Sequence, residues 1–138
     1  MLRNAVVNPV VPATDIARAK AFYAEVLDLE PIVEEADGLV YACSETWFVL
    51  YPSTSAGGNG TTAIEFIIDD LDTEVAELEK RGIIFLKDDT AFDGAAAGVG
   101  HPPDVRVARF RDSEGNLIAL CELIGASAVD ELRAMVGG

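Results

Sequence analysis

The feature that most limits what this chain can fold into is a pattern of elements that occurs twice. A Val-rich strand is expected over residues 5–11, and Thr14 or Asp15 caps the helix that follows. On that helix Ile16, Ala19, Tyr23, Val26 and Leu27 recur at helical spacing. Strands follow over 29–33, 39–43 and 47–51, separated by the turn residues Ala36-Asp37-Gly38 and Ser44-Glu45-Thr46. A Gly- and Ser-rich loop over 53–60 then divides the chain, and the order begins again. Residues 62–68 read as a strand, and Asp69 or Asp70 caps a helix with Leu71, Val75 and Leu78 on one face. Gly82 suits the left-handed C-terminal cap, and further strands are expected over 83–86, 105–110 and 117–123. The chain therefore reads βαβββ twice, an α+β architecture. It forms one domain over 1–124 with modules of about 1–54 and 61–124. A loop over 88–103 interrupts the second module, and an amphipathic helix lies within 125–138.

Composition narrows the function classes. The 24 Asp and Glu outnumber the 10 Lys and Arg, a formal charge of −14. That balance argues against nucleic acid and against anionic lipid, both of which require a basic face. No apolar run approaches the roughly 18 residues that span a bilayer, and the N-terminus lacks a signal-peptide pattern. Cys43 and Cys121 sit in apolar stretches and read as reduced, buried thiols, so the cytoplasm is the expected compartment.

Three motifs in order carry a family likeness: Asp15-Ile16 with Ala21-Phe22-Tyr23 and Val26-Leu27-Asp28-Leu29; Ile67-Ile68-Asp69-Asp70-Leu71-Asp72; and Phe110-Arg111-Asp112-Ser113-Glu114-Gly115-Asn116-Leu117-Ile118. With the doubled pattern, they make the chain resemble the vicinal oxygen chelate superfamily of glyoxalase I, bleomycin-resistance proteins and extradiol dioxygenases. The resemblance implies two βαβββ modules forming a curled mixed sheet around one cavity, commonly in a homodimer. It also implies metal ligands on the first and last strands of each module. Carried over by position, those places hold Asn8, seven residues before Asp15, and Ala63, seven before Asp70. The last-strand places hold Ala119, four after Gly115, and Leu50 or Phe48. Alanines and a leucine supply no donor, so no metal or other cofactor is expected. The one histidine, His101, lies in the long loop beside two prolines, where a solvated role is the simpler reading.

Strand alternation then nominates what lines the cavity. Asn8 carries Val6 and Val10 to its side, Ala63 carries Glu65, and Ala119 carries Leu117, Cys121 and Leu123. Glu65 is the candidate catalytic base or ligand anchor; its structural alternative is an ion pair with Arg106 or Arg109. Trp47, Phe48 and Tyr51 are candidate aromatic walls or plain core, and Arg106 is a further ligand-binding candidate. Cys121 has no histidine placed to activate it and reads as inert. The expected function is sequestration of a small organic molecule, cationic or aromatic. The alternatives are a metal-independent lyase or isomerase using Glu65, and a non-catalytic partner protein whose cavity is filled.

Overall fold

The computed structural model describes residues 1–58, 60–86 and 105–123, without the side chains of Val105 and Leu123. The expected loop over 88–103 with His101, and the expected C-terminal helix, lie outside the described residues. Among the described residues the elements are, in order, a short 3-10 helix (Leu2–Asn4), β1 (Val10–Ala13), α1 (Ile16–Glu25), β2 (Val33–Glu35), β3 (Gly38–Cys43), β4 (Thr46–Pro52), β5 (Thr62–Ile68), α2 (Leu71–Lys80), β6 (Val105–Arg111) and β7 (Leu117–Leu123). They form two small sheets: a four-stranded one in the order β1-β4-β3-β2 and a three-stranded one in the order β5-β7-β6. The architecture is α+β, and no helix among the described residues is long and apolar enough to cross a membrane. By contacts the chain divides into two compact units, residues 1–64 with 111–117, and residues 65–110 with 118–138.

Both helices start where capping chemistry places them. The Asp15 carboxylate accepts the Arg18 N–H at 3.0 Å, and the Asp70 carboxylate accepts the Thr73 N–H at 3.1 Å and the Thr73 hydroxyl at 2.7 Å. α2 ends in a Schellman motif: Gly82 N–H donates to the Glu79 carbonyl and Ile83 N–H to the Leu78 carbonyl, with Gly82 at φ +97°.

Two expected strands are displaced, each for a local reason, and a third does not form. The first begins at Val10, not residue 5, because Pro9 has no N–H to give; its carbonyl accepts the Val49 N–H and opens the parallel ladder. Asn8 thus precedes the strand, and Val6 and Val7 are exposed. Pro12 is tolerated inside β1 because that strand lies at the sheet edge. The second strand starts at Val33 rather than residue 29, after Asp28 at φ +60° and the donorless Pro31. Residues 83–86 form no strand; one bond, Leu86 N–H to the Arg109 carbonyl, marks where the second module would pair.

The core of the first unit lies between α1 and the first sheet. Tyr23, Tyr41 and Phe48 pack there, with Tyr41 and Phe48 stacked at 5.1 Å between centroids. Burial pushes the Tyr41 hydroxyl up to about 12, helped by the carboxylates of Glu30 and Glu34. In the second unit Leu71 and Leu78 of α2, Phe110, Ile118 and Leu120 are buried.

Candidate functional site

Alternation assigns each sheet a helix face and an open face. In the first sheet Val11, Ala13, Leu39, Tyr41, Phe48 and Leu50 are buried on the helix side. The open side therefore carries Val10 and Pro12 of β1 beside Val49 and Tyr51 of β4, paired directly across the ladder, with Trp47 further along. Trp47 is exposed and Tyr51 half-buried, so both are available to a ligand. Phe48 is 4% exposed and belongs to the core, which removes it from the expected aromatic wall. The same parity puts Leu50 on the helix side, so the strand position facing outward is Val49.

In the three-stranded sheet, Glu122 accepts the Leu71 N–H at 2.8 Å, which fixes the even-numbered residues of β7 toward α2. Ala119 and Cys121 therefore take the other face. On β5 Ile64 is buried while Ala63 and Glu65 are exposed, the alternation the sequence implies. Glu65 is open to solvent rather than enclosed in an apolar barrel. Arg106 is engaged on the α2 side, with Asp72 at 2.7 Å and Glu122 at 3.9 Å, so it is not the counter-ion of Glu65. Arg109 has the opposite parity on β6. Burial, and secondarily Glu65, pushes the Cys121 thiol up to about 11, so little thiolate exists at neutral pH. Asn8 is half-buried, its Nδ2 donating to the Pro9 carbonyl at 3.4 Å.

Within the first unit lies a cavity of about 190 Å³. Pro12, Ala63 and Leu117 give it an apolar side; Ser55, Thr61 and Asn116 give it a polar one. Gly57 and Gly58 complete the wall. Of these, Ala63 and Leu117 are among the positions that alternation nominates. Strand alternation does not reach the others, because the cavity is made by docking residues 55–58 on the 112–116 turn, a long-range contact. The readable signals were the glycines of the loop and the Asp-Ser-Glu-Gly-Asn turn.

That docking is built from buried polar groups. Asp112, 6% exposed, accepts the Tyr23 hydroxyl at 2.7 Å, Asn116 Nδ2 at 3.1 Å, and the N–H groups of Glu114 and Asn116 at 2.9 Å each. Asn116 Nδ2 also donates to the Pro12 carbonyl at 2.7 Å, and its Oδ1 accepts the Gly57 N–H at 3.2 Å. One amide thus ties the edge strand, the loop and the turn together. Tyr23 titrates well above the ordinary tyrosine range because of burial and then the Asp112 charge.

Beside it, the fully buried Glu114 side chain accepts a two-pronged contact from Arg18, Nε at 2.8 Å and Nη2 at 3.0 Å. It also takes the Asp15 N–H at 2.8 Å and the Ser113 hydroxyl at 2.9 Å. The Arg18 hydrogen bonds, against the opposing effect of burial, hold the Glu114 carboxyl down at about 2. A depressed folded value means the stabilisation is present above the unfolded carboxylate range, near 4.5, and is lost as pH falls from there toward 2. Urea midpoints at pH 7 and pH 3 should therefore separate widely in the wild type and less in Glu114→Gln.

Donor chemistry decides whether this fold's metal fits. Among the described residues no three His, Cys, Asp or Glu side chains converge. The family positions hold Asn8, Ala63 and Ala119, and on β4 Leu50 or its outward neighbour Val49. This set does not fit a divalent metal, which needs imidazole, carboxylate or thiolate donors.

A family model, Glyoxalase/Bleomycin resistance protein/Dioxygenase superfamily, matches residues 5–120. No curated protein matches the chain. Among solved structures, the chain is similar to TnmS3, an antibiotic binding protein from Streptomyces sp. CB03234, at 23% identity and a TM-score of 0.62, covering 87% of this chain and 98% of that one. A lactoylglutathione lyase from Agrobacterium tumefaciens is 19% identical, TM-score 0.62, with 86% and 93% covered. The fosfomycin resistance protein FosX from Listeria monocytogenes, complexed with Mn(II) and sulfate, is 12% identical, TM-score 0.65, with 94% and 98% covered. At these identities the likeness is one of fold.

Proposed function

The chain belongs to the Glyoxalase/Bleomycin resistance protein/Dioxygenase superfamily, and from that premise we propose that it binds and sequesters a small organic molecule, aromatic or cationic, without a metal ion. The observation that carries this reading is the donor set: where the family's metal enzymes place ligands, this chain has two alanines, a hydrocarbon side chain on β4 and one asparagine, a weak ligand. Among the described residues these positions supply no set of donors for a Lewis-acid ion, while binding surface remains. In the first unit Trp47 and Tyr51 on the open face of the sheet offer flat apolar contact. In the second unit, taken by itself, the exposed Glu65 is a carboxylate open to a cation. The antibiotic-binding neighbour has a fold of this kind serving ligand capture. The exposed Val6, Val7 and Val33 suit coverage by a second copy, so the working form is a homodimer. The free thiols of Cys43 and Cys121 suit a reducing cytoplasm.

Thermal-shift titration with bleomycin and planar antibiotics tests the reading, run beside elemental analysis of the purified protein. A saturating ligand should raise the melting temperature in a concentration-dependent way, equivalent to about 2.7 kcal/mol at a hundredfold excess over Kd. Stoichiometric bound Zn, Ni, Mn or Fe, or no response to any compound, overturns it. Turnover of a bound compound that is lost in Glu65→Gln would replace sequestration with the metal-independent lyase or isomerase.

A further inference from the structure

The cavity of the first unit is chemically unlike the rest of this acidic chain. Residues 46–64, which form β4, the loop and the start of β5, contain no charged side chain, although 25% of the whole chain is charged. The polar groups at the cavity wall are neutral, with the Ser55 hydroxyl able both to donate and to accept. Two carboxylates, Asp112 and Glu114, stand behind Asn116 and are committed, while Glu65, two residues beyond Ala63 on β5, is not among the lining residues. Asp112 accepts from Tyr23, Asn116 and two backbone N–H groups, and Glu114 accepts from Arg18, Asp15 and Ser113. The Asn116 amide is itself engaged with Pro12, Asp112 and Gly57, so it shapes the wall rather than reaching for a ligand.

A charged group entering this space gives up water and meets no uncommitted countercharge among the described lining residues. A neutral polar group exchanges water for hydroxyl and backbone partners at little cost. The volume of about 190 Å³ is below the roughly 300–1,000 Å³ of sites that enclose a whole drug-sized ligand, so it takes one ring or a group of that size.

Resting on the small-molecule reading above, we infer that this cavity docks an uncharged, compact polar group of the ligand, of the aromatic carboxamide type. Any cationic part of the ligand then lies outside it. The cavity selects ligands by that neutral group, and the net charge of the chain does not.

Benzamide, benzoate and benzamidine share a ring and a size but differ in charge, and are titrated into the full ¹⁵N-labelled chain by NMR. Benzamide should move the Ser55, Gly57 and Gly58 amides and the Asn116 side-chain amide, with both charged isosteres at least about tenfold weaker. Ala63→Phe, at an exposed strand position, should fill the cavity and abolish those shifts while the spectrum stays dispersed. Should that variant not fold, Ser55→Ala should weaken benzamide severalfold. Equal binding of benzoate or benzamidine, or benzamide shifts confined to other residues, overturns the inference. If an antibiotic raises the melting temperature while benzamide leaves the cavity amides unmoved, the inference fails and sequestration stands. If neither binds, both fail.

Discussion

Replacing Asp112 by Ala should destabilise the protein by roughly 3–5 kcal/mol, more than any other single polar truncation in the first unit. The carboxylate is 6% exposed and accepts four hydrogen bonds, so its removal strands four donors at once. A buried donor left without a partner costs about 1–3 kcal/mol, and water entering the vacated space recovers part of the sum. Against a typical total of 5–15 kcal/mol, the loss is a large fraction of the stability of the fold. Chemical denaturation should show the midpoint fall without a change in slope if the variant still unfolds in one step.

Tyr23→Phe supplies the coupling test. Alone it removes one hydroxyl and leaves Asp112 with three donors, so it should cost about 1 kcal/mol. Combined with Asp112→Ala it should cost almost nothing further, because the stranded hydroxyl is gone. Full additivity of the two would mean that the Tyr23–Asp112 bond at 2.7 Å carries no coupling energy.

These groups illustrate where the sequence was legible. β5 and β7 have the bounds that alternation assigns, and each helix starts at one of its two expected cap residues, Asp15 of Thr14 or Asp15 and Asp70 of Asp69 or Asp70, because period, capping and turn chemistry are local. Glyoxalase-type membership was likewise readable from three motifs and a repeated order. Proline overrode the Val-rich signal at β1, and Phe48 lies on the helix side with its ladder partner Tyr41, a parity that hydrophobicity alone cannot set when both faces are apolar. The cavity was hidden for another reason. Its wall joins residues as far apart as Pro12 and Asn116, and nothing in either neighbourhood announces the bond between them.

The second large effect belongs to Gly57, and glycine controls separate its causes. Gly57→Ala should cost about 2–4 kcal/mol and collapse the cavity as well. Its φ of +70° is a conformation that an L side chain adopts only under strain, worth about 1–2 kcal/mol. A Cβ there would also stand 2.8 Å from the Glu114 carbonyl oxygen and 3.2 Å from the Gly115 Cα, and neither is a side chain that can swing away. Gly82→Ala isolates the first cause: its φ is +97°, yet a Cβ meets nothing within 4 Å, so about 1 kcal/mol is expected. Gly60→Ala lacks both and should be near neutral in denaturation. Only Gly57→Ala forces the loop away from the turn, breaking the bond from its N–H to Asn116 Oδ1. Its excess over Gly82→Ala therefore measures how tightly the loop is seated on the turn. Equal costs for the two would mean that the loop moves aside freely, and the cavity wall would then be too soft to discriminate between ligands.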